Sequence, residues 1–244
     1  MSISRIYQST SLIPESNIEL DDAASHHLAR VLRAKVNDKI IVFNGEGGEY
    51  SGTIIQISKK AVTVHLHEHI ARDVESSLEL YLAQGISRGE KMDFTIQKAV
   101  ELGVKKIIPV LTERCNVKLD QERQEKRLQH WRAICIGACE QSGRNYVPEI
   151  TMPCTFPKFI AQSDADFKFV LAPVATTKLS QIAIPKQARV VLLIGPEGGL
   201  SDKEIEIAVN NGFIALNLGP RILRTETAAV AAITTLQYHA GDLG

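Results

Sequence analysis

Val190-Val191-Leu192-Leu193-Ile194-Gly195-Pro196-Glu197-Gly198-Gly199 is the stretch on which the reading of this fold turns. Its apolar run shows no polar alternation, which suits a strand covered on both faces, as in a parallel sheet. A Gly-Pro loop ends the run. Ser201-Asp202-Lys203-Glu204 then has the form of a capping box, and Ile205, Ala208 and Val209 give a helix face that Asn211-Gly212 terminates. The grammar repeats at once: a strand is predicted over 213–218, followed by Gly219-Pro220-Arg221-Ile222-Leu223-Arg224 and a helix from about Thr225. Open parallel sheets bind ligands beyond the carboxyl ends of their strands. Two successive strands ending in similar loops therefore point to one shared pocket. Residues 167–171 read as another strand, and Ala172-Pro173 supplies a third strand-end loop.

Working outward, strands alternating with longer helices begin at Leu78 and indicate an α/β domain. Residues 78–84 read as a strand, and Gly85-Ile86-Ser87-Arg88-Gly89-Glu90-Lys91 opens a helix with Met92, Ile96, Ala99 and Val100 on one side. Residues 107–111 follow as a strand, with Pro109 implying an edge or a bulge. Residues 120–141 form a long amphipathic helix with an apolar stripe of Leu128, Trp131, Cys135 and Ala138.

Before residue 72 the pattern is different. Strands expected over 3–7, 39–43, 50–57 and from 61 onward, joined by Gly-rich turns, argue for a small β-barrel or sandwich. Asp21 and Asp22 cap a short helix whose apolar side is expected to be Leu28, Val31 and Leu32. His65, His67 and His69 alternate with Val64 and Leu66, so they share one strand face. A solvated outer face explains them better than a metal site, because no second ligand group of matching spacing is nearby. The polar stretch 72–77 marks a boundary, dividing the chain into domains 1–72 and 73–244.

The chain carries 28 Lys+Arg against 28 Asp+Glu, so bulk charge gives no argument for nucleic-acid binding. Its cysteines lack C-x-x-C pairing and read as reduced thiols of a cytoplasmic protein. No membrane-spanning run or signal segment is evident. The P-loop, the nucleophile elbow and the H-E-x-x-H zinc motif are all absent. What remains is a pocket of backbone groups and apolar side chains edged by Glu197, Arg224 and Glu226. Such a pocket suits a neutral or cationic adenine-bearing ligand better than a polyphosphate.

Leu193-Ile194-Gly195-Pro196-Glu197-Gly198-Gly199-Leu200-Ser201, together with Leu218-Gly219-Pro220-Arg221-Ile222-Leu223-Arg224-Thr225-Glu226-Thr227-Ala228, resembles the ribosomal RNA small subunit methyltransferase E family, uridine-N3 methyltransferases of the SPOUT superfamily. His26-His27-Leu28, Val31-Leu32-Arg33, Ser87-Arg88-Gly89-Glu90-Lys91-Met92, Glu113-Arg114-Cys115 and Ala138-Cys139-Glu140-Gln141-Ser142-Gly143-Arg144 also match, so the likeness covers the whole chain. It implies an α/β fold: an N-terminal PUA-like RNA-binding β-barrel and a SPOUT domain with a trefoil knot. It further implies S-adenosyl-L-methionine as cofactor, 16S rRNA or the small ribosomal subunit as partner, a homodimer, and neither metal nor membrane.

Carried onto this chain, the resemblance assigns cofactor contacts to Leu171, Gly195, Pro196, Glu197, Gly198, Gly199, Leu218, Gly219, Ile222, Leu223, Thr227 and Ala228. Methyl transfer to uridine N3 requires removal of an imide proton and stabilisation of charge on the flanking carbonyl oxygens. Arg224 and Glu226 are the catalytic candidates. Arg30, Arg33, Arg88, Lys91, Glu140 and Arg144 are the substrate-binding candidates. The competing readings are a non-catalytic RNA-binding protein with a degenerate knot domain, and an enzyme that uses the Gly-Pro loops for nucleotide phosphates.

Overall fold

The structure, a computed structural model, describes residues 3–58, 61–115 and 120–244. The chain divides into two compact units: Met1–Glu75 with Cys139–Val147, and Ser76–Ala138 with Pro148–Gly244.

In the first unit, β1 (Ser4–Tyr7), β2 (Ser16–Glu19), β3 (Lys39–Phe43), β4 (Glu49–Ile57) and β5 (Val62–Ile70) form one sheet in the order β1-β3-β4-β5-β2. Only the β1–β3 pair is parallel; the others are antiparallel. Ile6, Ile40, Val42, Ile54, Val64 and Leu66 alternate inward to make its core. Each such side chain contributes about 2 kcal/mol on burial. The histidines of β5 point the other way: His65 pairs with Asn17 at 2.7 Å and His67 with Thr53 at 2.9 Å. Among the described residues no group of His, Cys, Asp and Glu is placed to hold a metal ion.

The first helix departs from expectation. Asp21 caps α1 (Asp22–His26) by accepting from the Ala24 amide at 2.8 Å, as its sequence implied. The chain then widens into a π-helical turn, His27–Val31, closed by Leu32 N–H donating to the His27 carbonyl. The extra residue per turn rotates the apolar stripe. Leu28 is buried, but Val31 is 60% and Leu32 44% exposed instead of facing the core.

Sequence pattern places all of 73–244 in the second domain, whereas Cys139–Val147 belongs with the first unit. Charge-assisted hydrogen bonds hold it there. Arg5 reaches Glu49 and the Asn145 side chain, Arg72 donates to the Gly143 carbonyl at 2.7 Å, and Arg144 pairs with Glu75.

In the second unit, β6 (Glu79–Gly85), β7 (Lys106–Leu111), β8 (Glu149–Ile150), β9 (Cys154–Thr155), β10 (Phe167–Leu171), β11 (Arg189–Ile194) and β12 (Ile214–Leu216) form an all-parallel sheet in the order β12-β10-β11-β6-β7-β8, with β9 also on β7. β11 is central, and residues 190–194 are all buried. The α-helices that follow among the described residues are α2 (Glu90–Glu101), α3 (Gln121–Ser142), α4 (Phe156–Gln162), α5 (Asp202–Asn210) and α6 (Thr225–Ala240). The last turn of α3, from Cys139, lies in the first unit. No described helix is long and apolar enough to cross a membrane.

β7 is an interior strand despite Pro109. β8 pairs with Lys106 and Ile107, and β9 with Val110 and Leu111, so Pro109 falls in the gap between them and displaces no ladder hydrogen bond on that side.

Candidate functional site

Parallel order puts the carboxyl ends of β10, β11 and β12 side by side, so the loops that follow them converge. They enclose a cavity of about 380 Å³, within the range of small-molecule sites. Leu171, Ala172, Pro173 and Val174 supply one wall, residues 194–200 a second, and residues 216–219 with Arg221, Ile222 and Leu223 a third. Asp202 and Ile205 of α5 and Thr225 and Ala228 of α6 line the remainder.

The β11 loop is built by its own backbone. Gly199 N–H donates to the Pro196 carbonyl at 2.8 Å, and Gly199 turns the chain at φ +69°, a region L side chains seldom adopt. A Cβ on Gly195 would stand 2.7 Å from the Gly199 carbonyl carbon, so the space is taken by the loop itself. The loop is then clamped from β7. Arg114 donates to the carbonyls of Gly198 at 3.0 Å and Leu200 at 3.2 Å. The predicted capping box forms: Ser201 Oγ accepts from the Glu204 amide, and Glu204 accepts from the Ser201 amide. Glu204 also accepts from the Glu113 amide at 2.8 Å, while Ser201 Oγ donates to the Glu113 carboxylate at 2.8 Å. The β10 and β12 loops are tied by Asn217, whose side-chain amide donates to the Pro173 carbonyl at 2.6 Å.

The cavity is therefore mostly apolar side chain and backbone, with few charges. Arg114 is committed to carbonyls. The Glu197 carboxylate accepts from the Arg88 amide at 3.0 Å and lies 3.8 Å from Lys91 Nζ, just ahead of α2, where the helix dipole favours an anion. Asp202 and Arg221 are exposed at the rim. Among the described residues no lysine lines the walls.

Every residue assigned to the cofactor from sequence lines this cavity except Thr227, which is exposed on α6. Arg114, Asp202, Asn217 and Thr225 line it as well, although sequence gave them no such place. Glu113-Arg114-Cys115 stood out as a motif, but its reach to residues 198–204 is visible only in the fold.

Arg224 and Glu226 do not line the cavity, yet they alternate with Leu223 and Thr225, which do. Arg224 is the N-cap residue of α6; its carbonyl accepts from the Ala228 amide at 2.8 Å, while its exposed side chain makes no hydrogen bond or ion pair among the described residues. Glu226 is half-buried, and its Oε2 is buried with no partner there.

Arg88 is exposed and Lys91 half-exposed at the start of α2. In the first unit, Arg30 and Arg33 are exposed. Glu140 and Arg144, read from sequence as substrate-binding, are held inside that unit instead. Glu140 accepts from the Tyr7 amide at 3.0 Å, and burial pushes its carboxyl above the usual range despite that hydrogen bond and nearby His27 and Arg5. Arg144 is 4% exposed and donates twice to Glu75.

The RNA methyltransferase domain family matches residues 74–237, and the RNA methyltransferase PUA domain family matches residues 20–66. The ribosomal RNA small subunit methyltransferase E of Buchnera aphidicola is 40% identical over 99% of this chain and 98% of its own length. Among solved structures, the Neisseria gonorrhoeae ribosomal RNA small subunit methyltransferase E bound to S-adenosyl methionine superposes with a TM-score of 0.93 at 37% identity over all of both chains. A Legionella pneumophila protein described as a methyltransferase, solved with bound cofactor SAM, superposes at 0.97 with 41% identity, again over all of both chains. On the parallel sheet with its convergent loops, the PUA match and these full-length likenesses, the chain belongs to the ribosomal RNA small subunit methyltransferase E family.

Proposed function

We propose that this protein is an S-adenosyl-L-methionine-dependent methyltransferase that modifies N3 of a uridine in 16S ribosomal RNA. The observation that carries the reading is the cavity at the ends of β10, β11 and β12, in a chain whose full-length relatives include one solved with that cofactor. Its chemistry fits the group. Backbone edges at residues 195–199 and 217–219 can pair with an adenine ring, and Ile194, Leu218, Leu223 and Ala228 offer apolar surface to its faces. The rim carboxylates Glu197 and Asp202 favour a cation.

When bound, the cofactor supplies a methyl group on a cationic sulfur. The chain's own residues must present the uracil and manage its proton. Arg224 has an uncommitted guanidinium on a backbone fixed between cavity-lining Leu223 and Thr225. Its planar set of donors suits a uracil carbonyl that gains negative charge as N3 is deprotonated. Glu226, one residue beyond Thr225, holds a carboxylate oxygen without a partner among the described residues, and we assign it the N3 proton. Arg88 and Lys91, with Arg30 and Arg33 of the first unit, supply positive charge for RNA phosphates.

We further infer the trefoil knot, a homodimer and a cytoplasmic setting. Val174 and Ile222, left more than four-fifths exposed at the cavity rim, support the dimer. The test is mass-spectrometric mapping of 16S rRNA from cells lacking the gene. One methyluridine should disappear and return with the wild-type gene. An unchanged methylation map would overturn the reading.

A further inference from the structure

We propose that Gln84 is a positioning residue that joins both cofactor loops to the central sheet, acting together with Thr225. The inference rests on the cofactor reading above. Gln84 stands at the end of β6, in register with Ile194 of β11, and is fully buried. Its Nε2 lies 3.0 Å from the Gly85 carbonyl, 3.3 Å from the Gly195 carbonyl and 3.0 Å from Thr225 Oγ1. The Thr225 hydroxyl donates to the same Gly195 carbonyl at 2.7 Å. One amide thus meets the strand end, the first residue of the β11 loop and the first residue of α6. The acceptors also decide how the amide is oriented, because a flipped oxygen would face two carbonyl oxygens.

Packing makes this junction stiff. A Cβ on Gly85 would stand 2.5 Å from the Pro196 ring, so the strand end abuts the loop with no slack. Gly195 and Thr225 both line the cavity, whereas Gln84 itself does not. Movement at the junction therefore shifts both walls together. It would also carry Arg224, the residue before Thr225.

The other atom of the same amide argues against a purely stabilising role for the glutamine. Gln84 Oε1 is buried and has no hydrogen-bond partner among the described residues. An orphaned buried acceptor costs free energy that an apolar side chain of the same shape would not. Methionine would relieve that cost while giving up the donors that reach two loops that must hold a ligand.

The test is calorimetric titration of S-adenosylhomocysteine into the full-length protein, paired with thermal unfolding, for the wild type, Gln84→Met, Thr225→Val and Thr225→Ser. Gln84→Met should weaken binding about tenfold with an unchanged or higher unfolding temperature. Thr225→Val should lose a similar factor, Thr225→Ser should stay within about twofold, and the Gln84→Met/Thr225→Val pair should lose little more than either single change, as expected of one shared junction. Binding by Gln84→Met within twofold of wild type would overturn the inference. So would a loss that appears only alongside a matching fall in unfolding temperature. If Gln84→Met fails to fold, Thr225→Val decides by the same criteria. A wild-type protein that takes up no S-adenosylhomocysteine would instead defeat the cofactor reading itself.

Discussion

The two units place charge in opposite ways. In the first, charged groups are drawn inside and hold the structure: Glu49 is 7% and Arg144 4% exposed, with Arg5 against one and Glu75 against the other. Burial alone would raise the Glu49 carboxyl. The hydrogen bond and charge of Arg5, with Asn145 and Arg72, outweigh it and hold the group below its ordinary value. In the second unit, the cavity is walled by backbone and apolar side chains, and its charges stand at the rim or are bound to the loops. The contrast separates two tasks. Fastening a segment distant in sequence needs directional, strong bonds. A site for a cationic ligand needs dry walls and few competing ions.

The largest effect should come from crowding the cavity's own backbone. Gly195→Val would push a side chain into the Gly199–Leu200 backbone, so S-adenosylhomocysteine binding should fall below calorimetric detection. Wild-type affinity in that variant would break the second half of the comparison. Glu49→Ala tests the first half. It leaves Arg5 with an unbalanced charge in a buried site and should destabilise the protein by about 3 kcal/mol in denaturant unfolding, the usual cost of breaking such a pair. A loss below about 1 kcal/mol would show that the network is decoration. Because the Glu49 carboxyl is held low, its contribution should be present above about pH 4.5 and fade as pH falls through its lowered value.

Arg224→Ala sharpens the cavity side. Methyl transfer should slow by about a hundredfold, roughly 2.7 kcal/mol, with cofactor affinity nearly unchanged. Single-turnover kinetics with cofactor titration reads both quantities. Parallel losses in rate and affinity would mean that Arg224 only shapes the loop. The smallest effect belongs to Glu140→Gln. Burial raises the Glu140 carboxyl, so its charged form weighs against the fold above that raised value, and the cost disappears as pH falls through it. The glutamine variant should be more stable than wild type by up to about 1 kcal/mol near pH 8, and the gap should close toward pH 4. A gap that widens in acid would reverse the assignment.

Much of the cavity was legible because it is made from contiguous sequence. The run 190–194, the two Gly-Pro loops and the Ser201–Glu204 capping box each declare themselves within a few residues. Other features were hidden. The π turn at His27–Val31 breaks the 3.6-residue period that a stripe of Leu28, Val31 and Leu32 assumes, so pattern alone turns two of them the wrong way. Glu140 and Arg144 read as substrate-binding candidates because they are charged residues in a polar cluster at a helix end. Their partners, Tyr7 and Glu75, lie far back along the chain.

The sequence by itself determined the local grammar of this protein: a β-rich start, an α/β remainder, and two Gly-Pro loops after buried strands. Local periodicity and turn chemistry act over a few residues, and any window of the chain carries them. Only the tertiary structure decided that Cys139–Val147 returns to the first unit, that Arg114 clamps residues 198–200, and that Gln84 meets Thr225 across 141 residues. Those pairings follow from which strand ends the sheet order brings together, and a hydrogen bond between distant residues leaves no period in the sequence for a local reading to find.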